Sequence, residues 1–270
     1  MDLATLAAGG RANFHTHSTW CDGKATPREM AQAALLRGLR RLGFSSHAML
    51  PADELDWCLT REKLPRYIAD IRSLACEFAG SLEIFCGVEA DYVPGGSVPD
   101  RAVFARHALP EAPPDYIIGS IHFVRAPDGA LVEVDLSPQA LADGIERHFG
   151  GDAAGFVRAY FKQQRDMVSS FDFDVVGHAD LVRKFNARHP YFDENAPWYR
   201  EELERTADAI AASGKIVEIN TGAIARGWMD DAYPSAAFRA MLAARGVRFI
   251  LSSDAHSADA VDCAFQRFSP

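Results

Sequence analysis

The sequence predicts an α/β fold of seven strand–helix units, and two observations lead there. Short apolar runs alternate along the chain with longer stretches of helical period, and the short runs end repeatedly on a histidine, a carboxylate or an amide. Strands that are apolar throughout belong to a parallel sheet covered on both faces by the helices between them. Closed into a barrel, such a sheet gathers the loops after its strands at one face. Residues as far apart as His15 and His256 then share one mouth.

Residues 12–15 form the first apolar run. Residues 27–40 read as a helix, with Thr26 as N-cap, Pro27 at the first position and Glu29 in the first turn. Residues 41–46 form the second strand, running straight into His47. A helix over 64–79 leads to a strand over 82–88 that ends at Glu89, and a strand over 116–121 ends at His122. After the Gly150-Gly151 break come a helix over 153–171 and a strand over 173–177 that ends at His178. A helix over 198–212, stopped by Gly214, precedes a strand over 215–219 that ends at Asn220. A helix over 234–245, closed by Gly246, precedes the last strand, over 247–251, just before Asp254. The Pro/Gly-rich stretch 93–114 reads as an excursion over the mouth. Neither a repeat nor a low-complexity tract nor a linker interrupts the pattern, so residues 1–270 are expected to form a single domain.

At 270 residues the chain has material for one barrel-sized core. Its formal charge of -9 argues against a nucleic-acid-binding surface, because phosphate-backbone affinity rests on clustered Lys and Arg. A small anionic substrate is compatible with that charge where metals and a few local cations reverse the field. The five cysteines make no Cys-x-x-Cys pair and read as reduced thiols. The N-terminal residues have the pattern of neither a secretory signal nor a membrane span. A cytoplasmic protein without membrane contact is the expectation.

The first motif is Asn13-Phe14-His15-Thr16-His17, followed by Cys21-Asp22-Gly23. Two histidines two apart on an extended segment face the same side, so His15 and His17 make a clamp for a transition metal. Asp254-Ala255-His256 repeats that spacing near the other end of the chain. Between them, His47, Glu89, His122 and His178 follow strand ends. Each of these residues alone reads more simply as a satisfied core histidine or a capping carboxylate. Jointly, so many imidazoles and carboxylates at one mouth are costly to bury without cations, and they are too many for one tetrahedral ion. A cluster of ions fits, and mixed nitrogen and oxygen donors suit zinc, iron or manganese. Cys21 reads as a packed thiol. His107, His148 and His189 follow no strand and read as surface or capping residues. Ser120 precedes His122 but lies in no Gly-x-Ser-x-Gly elbow, which weakens a serine-nucleophile reading.

These segments resemble the polymerase-and-histidinol-phosphatase (PHP) superfamily. The matching motifs are His15-Thr16-His17, Ser46-His47, Gly87-Val88-Glu89-Ala90-Asp91, Gly119-Ser120-Ile121-His122-Phe123, Gly177-His178-Ala179-Asp180-Leu181 and Ser253-Asp254-Ala255-His256. They occur in family order over nearly the whole chain. The fourth of them, with Glu218-Ile219-Asn220-Thr221, looks like the histidinol-phosphatase branch. The resemblance implies a distorted (β/α)7 TIM-like barrel and three divalent transition metal ions. It implies one ion on His15, His17, Glu89 and Asp254, a second on Glu89, His122 and His178, and a third on Asp22, His47 and His256. Asp22 stands where many relatives carry histidine. Asn13 stands where aspartate is frequent, and is expected behind the ligands.

The implied reaction is hydrolysis of a phosphomonoester, in this branch L-histidinol phosphate in histidine biosynthesis. Another small phosphate ester or a nucleotide is the alternative substrate. Asp254 or His256 is the expected source of the proton for the leaving alcohol, a choice the sequence leaves open. Arg183 and Arg226, which follow the strand ends at His178 and Asn220, are the expected phosphate ligands, since guanidinium pairs with phosphate in bidentate fashion. Glu133 and Asp135, beyond His122, are candidates to meet a cationic amine. A metal-binding regulatory protein with a degenerate site is a third reading, and the complete ligand set argues against it.

Overall fold

Seven parallel strands lie side by side in the order β1 (Ala12–Asn13), β2 (Arg41–His47), β3 (Glu83–Asp91), β4 (Tyr116–Ser120), β7 (Val175–Val176), β8 (Ile216–Asn220) and β9 (Phe249–Ser252). The computed structural model describes residues 2–8, 11–48, 56–95, 104 and 113–268. Most of the 93–114 stretch and all of His107 lie outside those residues. Between β4 and β7 the chain adds an antiparallel hairpin of β5 (Phe123–Arg125) and β6 (Leu131–Glu133). The sheet curls until its edges meet at a parallel bridge between Thr16 and Ala255, where the His17 N–H donates to the Ala255 carbonyl at 2.8 Å. The result is a nearly closed seven-stranded (β/α) barrel, as the sequence leads one to expect.

With only two residues in β1, the seam needs other ties, and Asn13 supplies them. Its Nδ2 donates to Ser253 Oγ at 2.6 Å and to the Val261 carbonyl at 2.8 Å. Its Oδ1 accepts from the backbone N–H groups of His15 and Ser253, at 3.1 and 3.2 Å. The buried amide is thus fully satisfied, as a buried polar group must be. It holds the first and last strands in register beneath the ligands.

The helices start where their caps direct. In α2 (Pro27–Leu36), Thr26 and Glu29 form a reciprocal capping box with Pro27 in the first turn. This helix stops at Leu36 rather than Arg40, because Gly38 adopts φ 74° and turns the chain directly into β2. Elements not foreseen include α1 (Leu3–Ala8), the β5–β6 hairpin and, after α3 (Lys63–Glu77), the helix α4 (Pro138–Phe149). No helix among the described residues is long and apolar enough to cross a membrane.

Two apolar layers result. The outer one lies between strands and helices and includes Phe44, Ile68, Val88, Phe161, Val217 and Phe238. The inner one fills the barrel floor with Phe14, Tyr116, Ile118, Val175, Ile216 and Ile250, joined by Leu3 of α1 from below. Burying each such side chain contributes roughly 1.5–3 kcal/mol. Tyr116 crosses the floor and donates its hydroxyl to the Phe14 carbonyl at 2.6 Å. Gly87 makes room for that ring, since a Cβ there would stand 2.3 Å from Tyr116 Cζ. Strand alternation then turns apolar floor into polar mouth. On β8, Ile216 faces inward at the floor, and Glu218 and Asn220 face inward above it.

Candidate metal centre

Glu89, 1% exposed, lies at the centre of the mouth. Parallel register sets it beside His47, and Ser120 Oγ donates to its Oε1 at 2.6 Å. His178 Nε2 and His122 Nε2 approach that same oxygen at 2.9 and 3.7 Å. Three more imidazoles surround Oε2: His47 Nδ1 at 3.1 Å, His15 Nε2 at 3.2 Å and His17 Nε2 at 3.5 Å. Asp254 Oδ1 lies 3.3 Å from His17 Nε2 and 3.7 Å from His15 Nε2. Asp22 completes the group, 3.0 Å from His256 Nε2, 3.7 Å from His17 Nδ1 and 3.8 Å from His47 Nε2. All nine residues expected as ligands therefore converge at the barrel mouth.

Further groups behind these aim them. His15 turns Nδ1 to Glu218 Oε2 at 2.9 Å and so presents Nε2 to the mouth. Glu218 Oε1 also accepts from the His178 N–H and from Asn220 Nδ2, both at 2.8 Å. Asp91 Oδ1 lies 2.8 Å from His122 Nδ1 and accepts the His122 N–H at 2.9 Å. Asp22 rides on a tight loop in which the Cys21 and Gly23 N–H groups both donate to the Ser18 carbonyl. The Lys24 N–H then donates to the His256 carbonyl at 2.7 Å, tying that loop to the far clamp. Asp254 itself adopts φ 50°, a left-handed conformation uncommon outside glycine.

The donors fit divalent cations. Among the described residues, His47 Nδ1, His178 Nδ1 and Glu89 Oε2 are buried and make no hydrogen bond, close as the first and last lie to each other, a state that costs free energy unless a further group satisfies them. Three overlapping sets have all their donor atoms within 4.8 Å: His17, Asp22, His47 and His256; His15, His17 and Glu89; His47, Glu89 and His122. These sets cut across the partition implied by the resemblance, since His17 joins the Asp22 group and His47 joins Glu89 and His122. Burial, helped by the neighbouring His256 and His47, pushes His17 down to about 3, so it is a neutral imidazole with a lone pair to give. Burial opposes charge on His122 as well, but Asp91 and Glu89 outweigh it and raise that group to about 10. Asp254 is held well below the usual carboxylate range, because Arg226 and His15 prevail over its burial.

A cavity of about 690 Å³ opens over the cluster, lined also by Lys24, Trp57, Glu133, Asp135, Lys184, Arg226 and Trp228. Arg226 keeps its expected place there, donating through Nη2 to Asp254 Oδ2 at 2.9 Å. Arg183 does not. Its guanidinium is buried against Glu194 Oε2 at 2.6 Å and Asp180 Oδ2 at 3.4 Å, and its neighbour Lys184 lines the cavity instead. The turn after His178 is a single 3-10 turn, Leu181–Arg183, and it directs adjacent side chains to different sides. The lesser histidines fall where expected: His148 pairs with Asp128 at 2.8 Å on the surface, and His189 is exposed. Cys21 Sγ packs 3.4 Å from His17 Nδ1, and burial pushes its thiol up, away from the thiolate that binds metal.

The sequence profile described as "PHP domain" matches residues 13–222. The chain belongs to the PHP domain family. Similar proteins include a "Probable histidinol-phosphatase" from Deinococcus radiodurans, 34% identical over 95% of this chain and 90% of that one. A Bacillus subtilis histidinol-phosphatase is 26% identical over 94% of this chain and 96% of its own length. Among solved structures, one from Listeria monocytogenes shares the fold with a TM-score of 0.82 at 18% identity, over 95% of this chain and 99% of that one. The histidinol phosphate phosphatase of Lactococcus lactis, complexed with zinc, L-histidinol and phosphate, aligns with a TM-score of 0.65 at 24% identity, over 92% and 87% of the two chains.

Proposed function

We propose that this chain hydrolyses L-histidinol phosphate to L-histidinol and inorganic phosphate, using divalent transition metals held at the barrel mouth. The observation that carries this reading is Glu89, one buried carboxylate within 3.7 Å of five imidazoles. The names of the relatives that align along most of the chain support the substrate, as does the Lactococcus complex. The reading places three ions of zinc, iron or manganese among His15, His17, Asp22, His47, Glu89, His122, His178, Asp254 and His256. It also assigns the chain to histidine biosynthesis in the cytoplasm.

When bound, such ions make water a nucleophile near neutral pH and offset the charge of phosphoryl oxygens. The chain's own residues do the rest. Arg226 and Lys184 bring cations to the cavity, where a dianionic phosphate is otherwise repelled by the protein's net charge. Of the two candidate proton donors to the leaving alcohol, Asp254 is already engaged by Arg226, His15 and His17. His256, whose side chain is 24% exposed, is engaged too, with Asp22 3.0 Å from its Nε2, so either group remains a candidate to hand over the proton. Measured kcat/KM across a panel of phosphomonoesters and one diester tests the assignment. L-histidinol phosphate is expected to lead the panel with the diester inert; a nucleotide or diester in first place overturns it.

A further inference from the structure

Past His122 the chain returns as the β5–β6 hairpin, and one carboxylate on it has no hydrogen-bond or ion-pair partner among the described residues. Phe123 and Glu133 are a cross-strand pair, so their side chains leave the same face of the ribbon, whereas Val132 and Val134 are buried on the other. The ribbon is tied to the mouth by the Val134 N–H, which donates to the His122 carbonyl at 2.8 Å. Glu133 lines the cavity together with His122, His178 and Arg226. The other acids of that cavity are all engaged: Asp22, Glu89 and Asp254 with imidazoles, Asp135 with Lys184 Nζ at 2.9 Å. Glu133 belongs to none of the metal-competent groups and has no hydrogen bond or ion pair among the described residues. Beside it, the Phe123 ring stacks on Trp57 at 6.3 Å, and Trp57 stands edge-on to His47 at 4.9 Å. This side of the mouth thus offers one half-buried anion next to flat rings, a complement to an aromatic ring carrying a cationic amine.

We infer that Glu133 binds the ammonium group of the substrate and sets a preference for β-amino alcohol phosphates over phosphate esters without the amine. The inference rests on the function proposed above. In L-histidinol phosphate the ammonium sits one carbon from the ester-bearing carbon, so a single cavity must hold both the phosphoryl group and its counter-anion. Burial and the adjacent Asp135 push the Glu133 carboxyl up, a penalty that a bound cation relieves.

The test compares metal-replete wild type and Glu133→Gln on L-histidinol phosphate and on 3-(imidazol-4-yl)propyl phosphate, which lacks the amine. Wild type is expected to favour the amine substrate. Glu133→Gln should lose about ten- to a hundredfold in kcat/KM on it, chiefly through KM, while staying within about threefold on the other. The amine-free ester also controls for misfolding. Equal losses on both esters, no loss on either, or a wild type indifferent to the amine overturns the role of Glu133 and leaves the phosphatase reading intact. A wild type inactive on both esters sinks that reading and the inference with it.

Discussion

His178 approaches the carboxylate of Glu89, whereas His148 lies on the surface with Asp128 as its only ion-pair partner among the described residues. His178→Ala is expected to lower kcat/KM on L-histidinol phosphate by about a thousandfold, the scale of several kcal/mol of lost charge stabilisation. His148→Ala should stay within about twofold; comparable losses in the two variants would move the site elsewhere. Glu218→Gln keeps the shape of the residue but weakens the carboxylate that orients His15, and loss of such support typically costs 10–100-fold in metal affinity. Titrating metal into chelated protein checks this, and unchanged affinity would deny Glu218 its part. The ligand types were legible in the sequence because each follows an apolar run at the open end of a strand. Glu218 could have been found by the same logic, since it lies two residues before Asn220 and must share its face. The exchange of Arg183 for Lys184 was not legible, because one residue on a 3-10 turn decides which side chain meets the cavity.

At the scale of elements, the loop after β1 and the barrel floor make separable demands. A Cβ on Gly23 would lie 2.4 Å from Ser18 N, so Gly23→Ala must shift the loop that carries Asp22. Elemental analysis should find it with less metal per chain than wild type, although its core is untouched; full metal content would show that the loop has slack. Tyr116→Phe removes the hydroxyl that satisfies the Phe14 carbonyl inside the barrel. It should cost about 1–3 kcal/mol in denaturant unfolding with turnover little changed, and an unaltered midpoint would contradict that role. The seven strands could be read because parallel strands buried on both faces leave continuous apolar runs. The helix α4 escaped notice although Ser137-Pro138 is a legible start: Ser137 caps it, accepting from the Ala140 N–H at 3.1 Å. The hairpin and α1 are too short for periodicity to register, with three residues per strand in the first and six in the second.

For the whole molecule, the mouth concentrates buried anions and imidazoles inside a chain of formal charge -9. Cations that bind the folded state alone stabilise it by mass action, about 4 kcal/mol when present at a thousand times Kd. Calorimetry should therefore find the unfolding temperature roughly 10 °C lower after chelation, and no shift would mean that the cluster is satisfied without metal. That the site joins residues from His15 to His256 follows from barrel closure, in which the Thr16–Ala255 bridge brings the ends of the sheet together. The most direct test strips the protein with chelator, verifies the loss by elemental analysis, and measures turnover of L-histidinol phosphate before and after adding manganese or zinc. Activity should vanish with the metal and return with it; undiminished turnover by verified metal-free protein would contradict the account.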